Sequence, residues 1–291
     1  MQQNCVAKYH ALGNDYIVVD PAYLNAAMTE ENIRLLCDRN YGVGSDGILY
    51  GPLPGAGAAQ AGEPFEVRIF NPDGGEAEKS GNGLRIFSRY LVDAGYVPGR
   101  ASFDVLTKGG LAHITLLDKQ GGMIEVDMGP VSFQSRDIPV LGRDREVVDE
   151  EIFLQGQPYR ITCLTVGNPH GVIIVDHTTK ALALQLGPLV ENHPLFPNRI
   201  NMQLVQVLSR NAVKIEIWER GAGYTLASGS SSCAAVAAAH RLGLTDSHVT
   251  VIMSGGEIDV RMEPSGRVSM RGSVTPVFEG RLFAPFISAL G

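Results

Sequence analysis

Short apolar runs separated by glycine turns make up most of this chain, and three stretches take helical spacing instead. After Thr29, a residue suited to capping, Ile33, Leu36 and Cys37 fall on one face, which predicts a helix over 29–37. After Ser80, Leu84, Phe87, Leu91 and Ala94 repeat the pattern. After Ser228, the run Cys233-Ala234-Ala235-Val236-Ala237-Ala238-Ala239 is small and apolar on every side, so that helix belongs in a core. Strands are expected at 16–19, following a turn at Gly13-Asn14-Asp15, and at 48–50, 103–106, 112–116, 123–128 and 161–166. Further strands are expected at 249–253, 258–262, 268–271 and 275–278. Residues 51–62, rich in Gly, Ala and Pro, read as a surface loop. The charged stretch 134–157 reads as irregular and as the place where the chain crosses between domains.

The pattern occurs twice. Val67-Arg68-Ile69-Phe70-Asn71-Pro72-Asp73-Gly74 leads to Ser80-Gly81-Asn82-Gly83, and 148 residues on Ile215-Glu216-Ile217-Trp218-Glu219-Arg220-Gly221 leads to Ser228-Gly229-Ser230-Ser231. Asn71 and Glu219 share that offset, Gly95 and Gly243 each follow their serine by 15 residues, and Gly109-Gly110 and Gly255-Gly256 each interrupt a strand-like run. One duplication implies two similar domains related by a pseudo-twofold. The expected fold is α+β, with two pseudo-symmetric domains, each a curved, mostly antiparallel sheet wrapped round a central helix. The domains are expected at 1–130, with a strand in 275–291 returning to it, and at 131–274.

Net charge of −7 and a pI near 5.5 argue against nucleic acid, which needs a basic face. With no amino-terminal leader and no 18-residue apolar run, the chain reads as soluble, cytoplasmic and without a membrane partner. Cys5, Cys37, Cys163 and Cys233 lack C-x-x-C spacing, and the seven histidines form no H-E-x-x-H. The cysteines therefore read as reduced thiols, and no metal site is signalled.

Chemistry concentrates in a few places. Gly42-Val43-Gly44-Ser45-Asp46-Gly47 matches the dinucleotide fingerprint, but it follows a helix and enters a strand, the reverse of what that site requires, so it reads as a tight connection. Ser80 and Ser228 begin helices whose free N–H groups and dipole suit an anion, with glycine beside each serine for close approach. One such serine would read as an ordinary cap; two at matched positions of a repeat point to a shared ligand site. Gly167-Asn168-Pro169-His170 is a rigid turn that holds an imidazole and an amide. Asn201 offers another amide, though loop asparagines mostly serve turns. Glu219-Arg220 reads either as a solvated pair or, placed before Ser228 as Asn71 is before Ser80, as part of a pocket.

Taken in order, Gly13-Asn14-Asp15, Gly42 to Gly47, Asn71-Pro72-Asp73-Gly74, Gly81-Asn82-Gly83-Leu84-Arg85, Gly167-Asn168-Pro169-His170 and Glu219-Arg220-Gly221-Ala222-Gly223 resemble diaminopimelate epimerase over nearly the whole chain. The resemblance implies a site in the cleft between the two domains, no metal, no pyridoxal phosphate, a place in lysine biosynthesis and a homodimer. That family inverts an amino-acid α carbon with two cysteines, one thiolate removing a proton and the opposite thiol returning one. Both cysteine positions are serine here, Ser80 and Ser228, and Cys233 matches a non-catalytic cysteine. The counterparts of His170 and Glu219 support the two catalytic groups, and a Ser80–His170 pair is one route to an activated hydroxyl. Asn14, Asn71, Asn168, Asn201, Glu219 and Arg220 match residues that hold the substrate. Gly229 and Ser230 match its anion loop for the reacting carboxylate, and Gly81 and Asn82 are expected to bind substrate as well. Tyr224 stands where the family usually has Glu, and Ser230-Ser231-Ser232 where it has Thr-Gly-Ala. The expected function is the cofactor-independent epimerisation of an amino acid with a second polar end, LL- to meso-diaminopimelate. The alternatives are another racemase, dehydratase or isomerase on the same fold, and a catalytically silent or engineered Cys-to-Ser binding form.

Overall fold

The computed structural model describes residues 2–53 and 63–291, so most of the stretch read as a surface loop at 51–62 lies outside the described residues. The chain forms two compact units, Met1–Val126 with Gly272–Gly291, and Asp127–Arg271.

In unit 1, β1 (Cys5–Ala11) and β2 (Asn14–Val19) form a hairpin, followed by α1 (Glu30–Cys37). Thr29 caps α1 by accepting from the Asn32 N–H, and Glu30 and Glu31 sit in its first turn, where the dipole favours them. β3 (Ile48–Tyr50) lies parallel to β2, and β5 (Arg68–Phe70), after the short β4 (Phe65–Glu66), runs antiparallel to β3 and pairs with β6 (Glu76–Ala77). Then come α2 (Gly81–Asp93) and a meander of β7 (Ser102–Thr107), β8 (Gly110–Leu116) and β9 (Met123–Pro130).

Unit 2 opens with β10 (Glu150–Leu154), β11 (Gln157–Thr165) and β12 (Pro169–Ile174), then α3 (Lys180–Glu191). β13 (Asn201–Ser209) lies parallel to β12 and antiparallel to β14 (Ala212–Glu219), which is followed by β15 (Gly223–Thr225), α4 (Gly229–Arg241), β16 (His248–Met253), β17 (Gly256–Met262) and β18 (Arg267–Ser273). The chain then returns to unit 1, where β19 (Thr275–Arg281) pairs antiparallel with β1 and precedes α5 (Ala284–Ala289).

The repeat extends further back than the 148 offset. Ile17 pairs with Ile48 in parallel in unit 1, as Gly171 pairs with Met202 in unit 2, so the first three strands of each half match at an offset of 154. The six-residue difference arises between β3 and β5.

The central helices make the cores. Leu84, Ile86, Phe87, Tyr90 and Leu91 of α2 are buried, each burial stabilising by about 1.5–3 kcal/mol. Cys233 to Ala239 of α4 are all buried, as a helix apolar on every side requires. Both helices end at a glycine in the left-handed region, Gly95 at φ +78° and Gly243 at φ +73°.

Two expectations need correction. The stretch 134–157 does not hold the crossover, since the boundary lies at Val126/Asp127, and it is not all irregular. Glu150–Leu154 is a strand whose Ile152 and Leu154 face inward, a pattern masked by its charged outer positions. α3 was not apparent in the sequence, because Pro188 interrupts it and its leucines do not form one clean stripe.

Candidate active site

In unit 1 the candidate residues Asn14, Ser80, Gly81 and Asn82 gather at the start of α2. Ser80 has extended backbone (φ −134°, ψ 119°) and its Oγ accepts from the Gly83 N–H at 3.0 Å, so it is the N-cap. The Tyr16 hydroxyl lies 3.3 Å from the same Oγ. Asn82 donates through Nδ2 to Asn14 Oδ1 (3.0 Å), Asn14 donates to Asp46 Oδ2 (2.9 Å), and Arg85 donates to Asn82 Oδ1 (2.6 Å). This chain fixes both amides. Beside it, Asp15 pairs with Lys8 and Arg39. Burial raises its carboxyl, but the bonds from Arg39 and Lys8 outweigh burial and hold it below the usual range. Asn71 opens the turn from β5 to β6, exposed, with its N–H on the Gly75 carbonyl.

The Gly42 to Gly47 connection explains its glycines by close approach. A Cβ on Gly47 would lie 2.5 Å from the Phe70 carbonyl oxygen and 2.7 Å from the Tyr16 ring, so only glycine lets that ring lie where it does.

In unit 2 the residues gather at the start of α4. Ser228 is buried and its Oγ accepts from the Ser231 N–H at 3.4 Å. Gln203 donates to Ser231 Oγ (3.0 Å), and Ser232 donates to the Ser228 carbonyl (2.8 Å). His170, fully buried on β12, has Nε2 2.9 Å from Asn168 Oδ1. Burial pushes its imidazole down to about 3, while the Gln203 amide pulls upward and the Arg220 cation pushes further down. His170 is therefore neutral at neutral pH. Asn201 joins two segments, donating to the Pro169 carbonyl (2.8 Å) and accepting from the Arg220 N–H (2.8 Å). Both its amide ends thus serve the backbone, a positioning duty beside the gripping role implied by resemblance. Buried Glu191 accepts from Trp218 Nε1 (2.7 Å), the Gly221 N–H (2.9 Å) and Arg199 (3.0 Å), which pins the Glu219–Gly221 turn. Thr225 donates to Glu219 Oε2 at 3.2 Å, and Arg220 donates through Nη1 to the Asn198 carbonyl. Gly229 and Ser230 occupy the first turn of α4, as Gly81 and Asn82 do in α2.

All four cysteines are buried and outside any disulfide, and burial raises the Cys37 and Cys163 thiols, which makes them poor nucleophiles. Among the described residues no three His, Cys, Asp or Glu side chains converge as metal ligands, and no helix is long and apolar enough to cross a membrane.

A sequence model of the family "Diaminopimelate epimerase" matches residues 6–134 and 162–277. The chain belongs to the diaminopimelate epimerase family. A relative in Nostoc sp., diaminopimelate epimerase 2, is 53% identical over 275 residues, 94% of each chain. Diaminopimelate epimerase of Moorella thermoacetica is 38% identical over 283 residues, covering 94% of this chain and 97% of that one. Among solved structures, a hydroxyproline epimerase from Agrobacterium vitis superposes with a TM-score of 0.71 over 96% of this chain and 90% of that one, at 14% identity. Methylitaconate-delta-isomerase superposes at 0.59 over 95% and 94%, at 12% identity. The likeness to these two structures is one of fold.

Beside the residues that match the diaminopimelate epimerase family, the geometry brings in two that the sequence did not mark as site candidates, Tyr16 and Gln203. Tyr16 was legible in one respect. Gly13-Asn14-x-Tyr16 and Gly167-Asn168-x-His170 align at the 154 offset, each with its glycine in the left-handed region at the hairpin turn. Gln203 gave no signal, since it reads as one polar position in an apolar strand.

Proposed function

We infer that this protein is an isomerase, a pyridoxal-phosphate-independent amino-acid epimerase that interconverts LL- and meso-diaminopimelate. The observation that carries the reading is the near full-length match at 53% identity to a relative named for that activity. Residues fitted to an amino acid with a second polar end support it. Arg220 has the fork geometry for a carboxylate, and the N-terminus of α2 in unit 1 and that of α4 in unit 2 each carry N–H groups and a positive dipole end suited to an anion. Ser80 and Ser228 take the places of the acid–base pair, one hydroxyl removing the α proton and the other returning one. Glu219 and the neutral His170 support them, and Asn14, Asn71, Asn168 and Asn201 orient the substrate. A serine hydroxyl is a much weaker acid than a thiol, so turnover is expected to be slow and to rise with pH.

LL-diaminopimelate incubated with the protein in deuterium oxide should yield α-deuterated meso product, and Ser80→Cys with Ser228→Cys together should raise the rate strongly. No gain from the double substitution, with no binding of either isomer, would point to a different substrate. One observation favours a second reading. Both Oγ atoms already accept a helix N–H, the ordinary duty of a capping serine. On that reading the protein binds diaminopimelate without turnover, and calorimetry would find binding where mass spectrometry finds no deuterium.

A further inference from the structure

We propose that Tyr16 is the proton-relay and positioning residue for Ser80, the two hydroxyls forming a couple that does on one face of the substrate what a thiol does alone. The inference rests on the epimerase reading above.

The Tyr16 hydroxyl is 3.3 Å from Ser80 Oγ. Ser80 Oγ also accepts from the Gly83 N–H at the positive end of α2, which stabilises negative charge on that oxygen. The Tyr16 side chain is buried, and its ring lies over Gly47, where no larger residue fits. The hydroxyl is therefore held in place by packing. In the repeat, Tyr16 occupies the position that His170 occupies in unit 2, two residues past a matched Gly-Asn turn on a strand with a parallel partner. Each half thus places a titratable ring at the same topological point, an imidazole in one and a phenol in the other.

A phenol is a far stronger acid than an aliphatic alcohol, so a phenolate is the more accessible base at alkaline pH. In the forward step the Cα–H bond breaks and its proton goes to Ser80 Oγ, while the Ser80 hydroxyl proton passes to the Tyr16 phenolate. The α carbon keeps the electron pair, Tyr16 ends as a phenol, and nothing is oxidised or reduced. The reverse sequence returns a proton. Charged and titratable groups neighbour Tyr16 on several elements. β1 presents Tyr9 directly opposite, bound to Asp93 of α2, with Lys8 and His10 beside it. Asp15 neighbours Tyr16 on β2, Asp46 precedes β3 and Tyr50 ends it, and Arg85 and Arg89 lie along α2.

The test is a cycle of Tyr16→Phe, Ser80→Cys and the double variant, each assayed for deuterium entry at the α carbon of both isomers across pH 6–10 and for meso-diaminopimelate binding by calorimetry. Tyr16→Phe removes only the hydroxyl. It should lower exchange at least tenfold, flatten the rise of rate with pH and leave binding within twofold. In the Ser80→Cys background its penalty should shrink at least fivefold, because a thiol needs no relay. An equal penalty in both backgrounds, an unchanged pH profile, or binding without any exchange in the natural protein overturns the proposal. Absence of binding by either isomer overturns the substrate reading itself.

Discussion

Buried His170 makes the protein's stability fall with acid from a higher pH than the carboxylates do. Its folded-state pKa is pushed from an ordinary 6.5 down to about 3. Between those values the unfolded chain binds a proton that the folded chain refuses, so the unfolded state gains as pH drops. Above about 6.5 the group contributes no pH dependence, and below about 3 both states are protonated and the loss stops growing. The slope in between is about 1.4 kcal/mol per pH unit, which amounts to about 2 kcal/mol by pH 5. Asp15, depressed below the usual carboxylate range, acts in the same sense at lower pH. Its contribution is present above the unfolded carboxyl value and is lost as pH falls through the folded one. Urea unfolding of the natural protein and of His170→Gln at pH 8 and pH 5 isolates the imidazole. The variant should lose about 2 kcal/mol less between the two pH values, whatever its absolute stability. His193, also lowered by burial, is present in both proteins and cancels. Equal losses in the two proteins would show that His170 is protonated in the folded state and that the neutral-imidazole assignment is wrong.

Other outcomes follow from single contacts. Ser80→Ala and Ser228→Ala each remove a helix cap and should lower stability by about 1 kcal/mol, read from denaturant midpoints. Gly187→Ala would place a Cβ 2.4 Å from the Trp218 ring, so it should destabilise by about 1–3 kcal/mol and shift the emission of the chain's single tryptophan. Asn201→Ala leaves the Pro169 carbonyl and the Arg220 N–H without their side-chain partner. It should lower stability by about 1–3 kcal/mol and raise KM for diaminopimelate more than it lowers kcat.

Local periodicity made much of the fold legible. The Thr29 cap, the two helices begun by Ser80 and Ser228, and the hairpins turning at Gly110 and Gly256 all lie where spacing and turn chemistry place them. β10 and α3 escaped because their signals are mixed, charged residues masking alternation in one and Pro188 breaking the other. The candidate residues were legible as motifs, since each candidate segment is contiguous. The Tyr16–Ser80 contact was not, because it joins residues 64 apart through the packing of a ring on Gly47. The link from Gln203 to Ser231 depends likewise on a strand meeting a helix start that sequence spacing does not bring together.

Unit 2 is one unbroken span of chain, whereas the sheet of unit 1 gains its edge strand β19 only after that span. During synthesis the later-encoded half therefore has all its strands available first. The earlier-encoded half waits, with β1 exposed as an open template, until residues 275–281 leave the ribosome.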